Sequence, residues 1–220
     1  MPRATLNRKV THMDTNRAAE HLQVIRTLME RSALYRRALA PISLLVGVLG
    51  IVAAAVGWML VIEAARAFIG YWLAVSTVCI IGAYLIARQQ AIKDAEPFWS
   101  SPTKRVTSAL APPLLVGLLA GLLTLAHPLW FFLQPWVLPA LWMILYGCAL
   151  HSAGFFMTRG IKLVGWLFVL CGCAWMTSRC FAEGHLEVRA MHIVMGVVFG
   201  GVHLAYGLYL RLTEKGSPPA

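Results

Sequence analysis

Six apolar stretches, each about as long as a bilayer is thick, leave this chain few ways to fold. A helix must run through roughly 20 apolar residues to cross about 30 Å of hydrocarbon. Residues 41–62, 67–87, 110–127, 135–155, 161–178 and 190–210 meet that length within a few residues. Composition agrees: 59% of the chain is hydrophobic and 13% charged, where a soluble domain is about 45–50% apolar and about 25% charged. The expected fold is all-α, a polytopic integral membrane protein with six transmembrane helices.

Charge placement orients these spans. Lys and Arg concentrate in cytoplasmic segments. A cytoplasmic N-terminus puts Arg3, Arg8, Lys9, Arg17, Arg26, Arg31, Arg36, Arg37, Arg88, Lys93, Lys104, Arg105, Arg159, Lys162, Arg211 and Lys215 inside. It leaves only Arg66, Arg179 and Arg189 outside. Both termini are therefore expected in the cytoplasm (N-in, C-in), in a multi-pass protein of a bacterial inner membrane. The net charge of +10 is accounted for by topology and does not call for nucleic acid. Trp58, Tyr71, Trp72, Trp130, Trp136 and Trp175 fall near the outer span ends, as an interfacial belt would.

Four regions follow. Residues 1–13 are basic and lack periodicity, which predicts a mobile segment, and Met13 is a second candidate start of translation. Residues 14–40 carry Leu22, Ile25, Leu28, Met29 and Tyr35 at helical spacing beside Arg17, Arg26 and Arg37, an amphipathic cytoplasmic or interfacial helix. Such a helix suits anionic lipid at the cytoplasmic face or a cytosolic protein partner. Residues 41–210 form the six-helix domain, and 211–220 a flexible tail. ALAPISLLVGVLG at 38–50 returns with one residue removed as ALAPPLLVGLLAG at 109–121, which reads either as a duplicated hairpin or as chance likeness between spans all dominated by Leu, Val, Gly and Ala. Residues 88–108 read as the main cytoplasmic loop.

All nine acidic residues lie at or beyond predicted span ends. Ion-coupled transport ordinarily relies on intramembrane ionisable groups, so the remaining carrier class is one for a small neutral solute. HExxH, GxSxG and phosphate-binding glycine motifs do not occur, which argues against an enzyme. The five cysteines are odd in number and mostly within spans, so no disulfide framework is expected. No metal site is read from them.

The histidines form the one constellation with chemical content. In HIVMGVVFGGVHLAYG, residues 192–207, His192, Gly196, Gly200, His203 and Gly207 share one face of an α-helix. Gly196 and Gly200, like Gly117 and Gly121, make the small-xxx-small pattern of close helix packing. That pattern serves a seam inside one bundle or a homodimer equally. In the six-span frame His127 and His192 lie near the outer face, and His151 and His203 toward the inner one. This makes them candidate ligands of two b-type haems, since imidazole ligates haem iron. A pH-sensing role is a further use of histidine. The leading expectation is plainer. The histidines are polar fasteners in a packed interior, and the protein is a non-enzymatic membrane-embedded subunit or regulatory protein with a basic cytoplasmic face. Haem-dependent electron transfer through His127, His151, His192 and His203 is the alternative, followed by neutral-solute transport.

Overall fold

A computed structural model of the chain describes residues 38–95, 97–127, 136–157, 159–182 and 187–214. Residues 1–13, all but the last three residues of the expected amphipathic helix 14–40, His185 and the tail beyond 214 lie outside the described residues. Among the described residues every regular element is helical and no strand occurs. The helices are α1 (Ala38–Met59), α2 (Ala65–Lys93), α3 (Ser101–Ala126), α4 (Val137–Ala153), α5 (Arg159–Phe181) and α6 (Val188–Thr213). All but α4 are long and apolar enough to cross a membrane, which suggests a membrane protein. The 17 residues of α4 extend only about 25 Å at 1.5 Å per residue. That helix is closely packed, with Ala140, Met143, Ala149 and Ala153 fully buried.

Helix boundaries depart from the predicted spans mainly around the 88–108 loop. α2 continues to Lys93 and α3 begins at Ser101, so only residues 94–100 join them. The start signal was present in SSPT: Ser100 precedes the helix, Pro102 occupies its first turn, and the Ser100 and Thr103 hydroxyls lie 3.0 Å apart. Proline is favoured there because its missing N–H would find no partner in a first turn anyway. Pro112 and Pro113 consequently sit inside α3 rather than at its start.

α1 and α6 run antiparallel, as their contact pairs show. Moving up α6, His192 meets Gly57, Gly196 meets Ala54, Gly200 meets Gly50 and Ile51, Leu204 meets Gly47, and Gly207 meets Leu44. A Cβ built on Gly50 would stand 2.9 Å from the Gly200 Cα, and one on Gly47 2.5 Å from the Leu204 nitrogen. Here backbone rests on backbone, which only glycine permits. A second antiparallel seam joins α4 and α5, where a Cβ on Gly147 would lie 2.6 Å from the Gly165 carbonyl oxygen and one on Gly172 2.9 Å from that of Ala140. α3 is held more loosely: the atom nearest a Cβ on Gly117 is Trp142 Cδ1 at 3.5 Å. The two copies of the ALAP…LLVG repeat thus meet different surroundings, backbone for Gly47 and an indole for Gly117.

Two buried clusters flank the α1–α6 pair. One gathers Leu39 and Ala40 of α1, Met143 of α4, Ile161, Val164 and Phe168 of α5, and Tyr206 and Leu210 of α6. The other gathers Ala53 and Ala54 with Phe68, Ile69 and Trp72 of α2, Leu138 of α4, and Met191 and Met195 of α6. Outward faces stay apolar, with Ile80, Ile81, Leu115, Leu119, Leu163 and Leu170 all exposed. A water-facing surface would not carry such continuous apolar area, whereas lipid accepts it.

Where α1 ends, the Ile62 N–H reaches the Gly57 carbonyl and the Val61 N–H that of Trp58. This is a Schellman closure with Val61 as its left-handed residue, at φ 53°. Glycine is the usual occupant, and a β-branched side chain there is strained. Val61→Gly is expected to raise stability by about 1 kcal/mol, read as a higher thermal unfolding midpoint in detergent. Gly50→Ala should lower stability by about 1–3 kcal/mol through overpacking, while Gly117→Ala should stay within about 0.5 kcal/mol of the parent in the same measurement.

Candidate functional site

Along α6, two histidines face two different compartments of the bundle. His192 is fully buried. Its Nδ1 accepts a hydrogen bond from Trp72 Nε1 at 3.1 Å, and its Nε2 lies 3.2 Å from the Ile62 carbonyl oxygen. Indole N–H only donates and a carbonyl only accepts, so the ring is neutral and carries its proton on Nε2. Phe68, Tyr71 and Trp72 surround it with ring centroids 4.9, 5.7 and 6.0 Å away. Gly57 forms the remaining wall, for a Cβ at that position would collide with the imidazole.

Three residues before His192, Arg189 reaches the same turn. Its Nε donates to the Trp58 carbonyl at 3.2 Å and its guanidinium lies 4.3 Å from the Trp58 ring centroid. The Trp58 carbonyl thus accepts a second hydrogen bond beside that of the Val61 N–H, and a cation at that end complements the helix dipole. Arg189 and His192 together close the α1–α2 turn from α6.

His203 is 5% exposed and faces α4 and α5. Its Nδ1 donates to the Phe199 carbonyl at 2.6 Å, and its Nε2 lies 2.7 Å from the Tyr146 hydroxyl. In the neutral ring Tyr146 is the donor. Tyr146 and Phe168 stand 5.4 and 5.3 Å from it, centroid to centroid.

His203 therefore leaves the face on which an α-helical wheel places it, and the cause is local. Residues Gly196–Gly201 form a π-helical turn. The seam contacts fall at 192, 196, 200, 204 and 207, and each step of four in an α-helix drifts by about 40°. The wider turn absorbs that drift and keeps the whole run on α1, so Leu204 takes the seam position and His203 turns toward Tyr146. Gly196, Gly200 and Gly207 lie on α1, while Gly117 and Gly121 lie against Trp142, whose Nε1 donates to the Gly117 carbonyl at 2.9 Å.

Two further histidines, His127 and His151, fall among the described residues. His127 follows the last turn of α3, its N–H bonded to the Leu123 carbonyl. His151 packs edge-on against Phe155 and Trp166 at 5.5 Å, and its buried Nδ1 has no hydrogen-bond partner. The ring neighbours of His192 are aromatic side chains of α2, and those of His203 belong to α4 and α5. Among the described residues neither has a ring contact with a second imidazole. An iron ligand needs a nitrogen lone pair, and in the neutral rings the lone pairs of His192 and His203 are directed at Trp72 and Tyr146. Either ring would have to give up that hydrogen bond to ligate a haem iron. Among the described residues no group of three or more His, Cys, Asp or Glu side chains is placed to hold a metal ion.

Sequence reading missed the partners of these rings. Tyr71 and Trp72, expected in an interfacial belt, are engaged by other helices: Trp72 is 4% exposed and the Tyr71 hydroxyl donates to the Ala53 carbonyl at 2.6 Å. Trp175 likewise donates to the Trp136 carbonyl at 3.1 Å. These aromatic residues act as interhelical hydrogen-bond donors. Only the small-residue spacing of α1, Gly47, Gly50, Ala54 and Gly57, signalled which helix faces His192.

Comparisons with protein-family models, with curated proteins and with solved structures find no match for this chain. Trp72→Phe, which leaves the buried Nδ1 of His192 unpaired, is expected to cost about 1–3 kcal/mol. A double-mutant cycle of Tyr146→Phe and His203→Phe should give a coupling of about 0.6–1.7 kcal/mol, measured by denaturant titration in micelles.

Proposed function

We propose that this protein is a non-enzymatic, membrane-embedded subunit or regulatory protein of a bacterial inner membrane, with its basic end in the cytoplasm. The observation that carries the reading is the segregation of charge along the bundle. Leu45 meets Gly82, Gly154 meets Lys162, and Gly160 meets Tyr206. These contacts bring the start of α1 and the ends of α2, α4 and α6 to one end of the bundle, with the start of α5. Arg88, Lys93, Lys104, Arg105, Arg159, Lys162 and Arg211 belong to that end, and Arg66, Arg179 and Arg189 to the other. Such asymmetry marks the cytoplasmic side.

The interior supports a scaffolding role. Its central seam is closed backbone to backbone, and its two most buried imidazoles are each engaged at both nitrogens. The surface left for function is the basic end, where a cytosolic protein or anionic lipid would bind, together with residues 14–40 leading into α1. A homodimer is compatible with the exposed apolar faces.

Single-cysteine variants at Ser101 and Glu63, on a background without the native cysteines, test the orientation. An impermeant maleimide should label the Glu63 variant in intact cells and the Ser101 variant only after lysis; the opposite pattern would reverse the topology. For the subunit reading, mild-detergent purification should recover a stoichiometric partner that dissociates when Lys104 and Arg105 are replaced by Glu with no change in unfolding midpoint. A chain recovered alone, with unaltered behaviour in the charge-reversed variant, would overturn it.

A further inference from the structure

Outside the seam, the close approach of α1 and α6 leaves an open furrow of about 550 Å³. Its α1 wall includes Ala55, Trp58 and Met59, and its α6 wall Ile193, Val197 and Gly201. All six side chains are apolar or absent, and Met59, Ile193 and Val197 are largely exposed, at 76%, 48% and 63%. Gly201 is unlike the seam glycines: a Cβ built on it meets no atom within 4 Å. The bundle's own packing gives no reason for a small residue there.

At the first turn of α6 the furrow acquires a charge. Arg189, Ile193, Val197 and Gly201 follow one another at intervals of four, and the π-turn keeps such a run in line where an α-helix would drift. Arg189 rests on Trp58, itself part of the wall. A cation thus stands at the helix terminus, where headgroups lie, with an apolar channel leading away from it. From Arg189 to Gly201 the distance is about 18 Å at helical rise, close to the roughly 15 Å of one leaflet's hydrocarbon.

A ligand complementary to this arrangement has one anionic group joined to one long apolar chain. We propose that the α1–α6 furrow seats an acyl chain of an anionic phospholipid, whose phosphate pairs with Arg189. The site lies at the end opposite the basic face, so it is independent of the partner contact proposed above; it requires only that the chain be embedded in lipid.

Native mass spectrometry of the full chain, released from detergent with palmitoyl-oleoyl phosphatidylglycerol or its phosphatidylcholine counterpart, tests the site. Phosphatidylglycerol adducts should exceed phosphatidylcholine adducts by about fivefold, the preference expected of one interfacial cation. Arg189→Gln should abolish that preference and Arg189→Lys keep it. Arg189 also closes the α1 terminus, so a folding defect would obscure that variant alone. Ala55→Leu and Gly201→Leu fill the furrow without touching Arg189, and each should cut phosphatidylglycerol retention severalfold at an unchanged unfolding midpoint. Equal retention of the two lipids by the parent, or retention indifferent to both furrow-filling variants, would overturn the proposal. So would a dimer that Gly201→Leu splits, since the furrow would then hold a second copy.

Discussion

Everything else in this bundle is arranged around two backbones that touch. Between α1 and α6 the separation is set by Gly50 against Gly200 and by Gly47 against the Leu204 main chain. In a membrane, apolar side chains gain little by leaving lipid for protein, so helices associate through close packing and interhelical hydrogen bonds. Glycine-on-glycine contact maximises the first. It also brings the partners of the second within reach, since Arg189 and His192 can grip the carbonyls of Trp58 and Ile62 only because α6 lies so close to the end of α1.

The buried polar groups follow from the same constraint. An unpaired polar group in an apolar interior costs several kcal/mol. The chain meets that cost by pairing ring with ring: indole with imidazole at His192, phenol with imidazole at His203. Each pair is enclosed by further aromatic rings, so the polar contact is shielded and its geometry held. His151, with one buried nitrogen unmet, shows what the other two would be without Trp72 and Tyr146. The aromatic residues that a membrane usually places at its surface are partly spent inside, as latches between α1, α2, α4, α5 and α6.

The elements were legible from hydropathy, because a run of about twenty apolar residues has few alternatives to a spanning helix. The placement of Lys and Arg supplied an expected orientation for them. What could not be read was azimuth. Depth along a span follows from counting residues, but which way Trp72 points depends on which helices surround α2. The α2–α3 connection differs for another reason: residues 88–108 read as one loop, whereas SSPT within them starts a helix. His203 was assigned to the glycine face because counting at 3.6 residues per turn presumes an unbroken α-helix, and nothing in GVVFGG announces a π-turn.

That turn also changes what α6 can absorb. The seam uses residues 192 to 207 on α6 against 57 down to 44 on α1, two more on the α6 side. Six of the α6 residues, three of them glycine, lie in the π-turn, where the backbone is least constrained by side chains. Losing one residue elsewhere in a helix would rotate all that follows by about 100° and dismantle the contacts downstream. Between Gly196 and Gly201 the same loss would tighten the wide turn into an ordinary one, with Gly207 still facing Leu44. In this reading α6 carries its own length adjustment, and the register of its two halves is separately tunable.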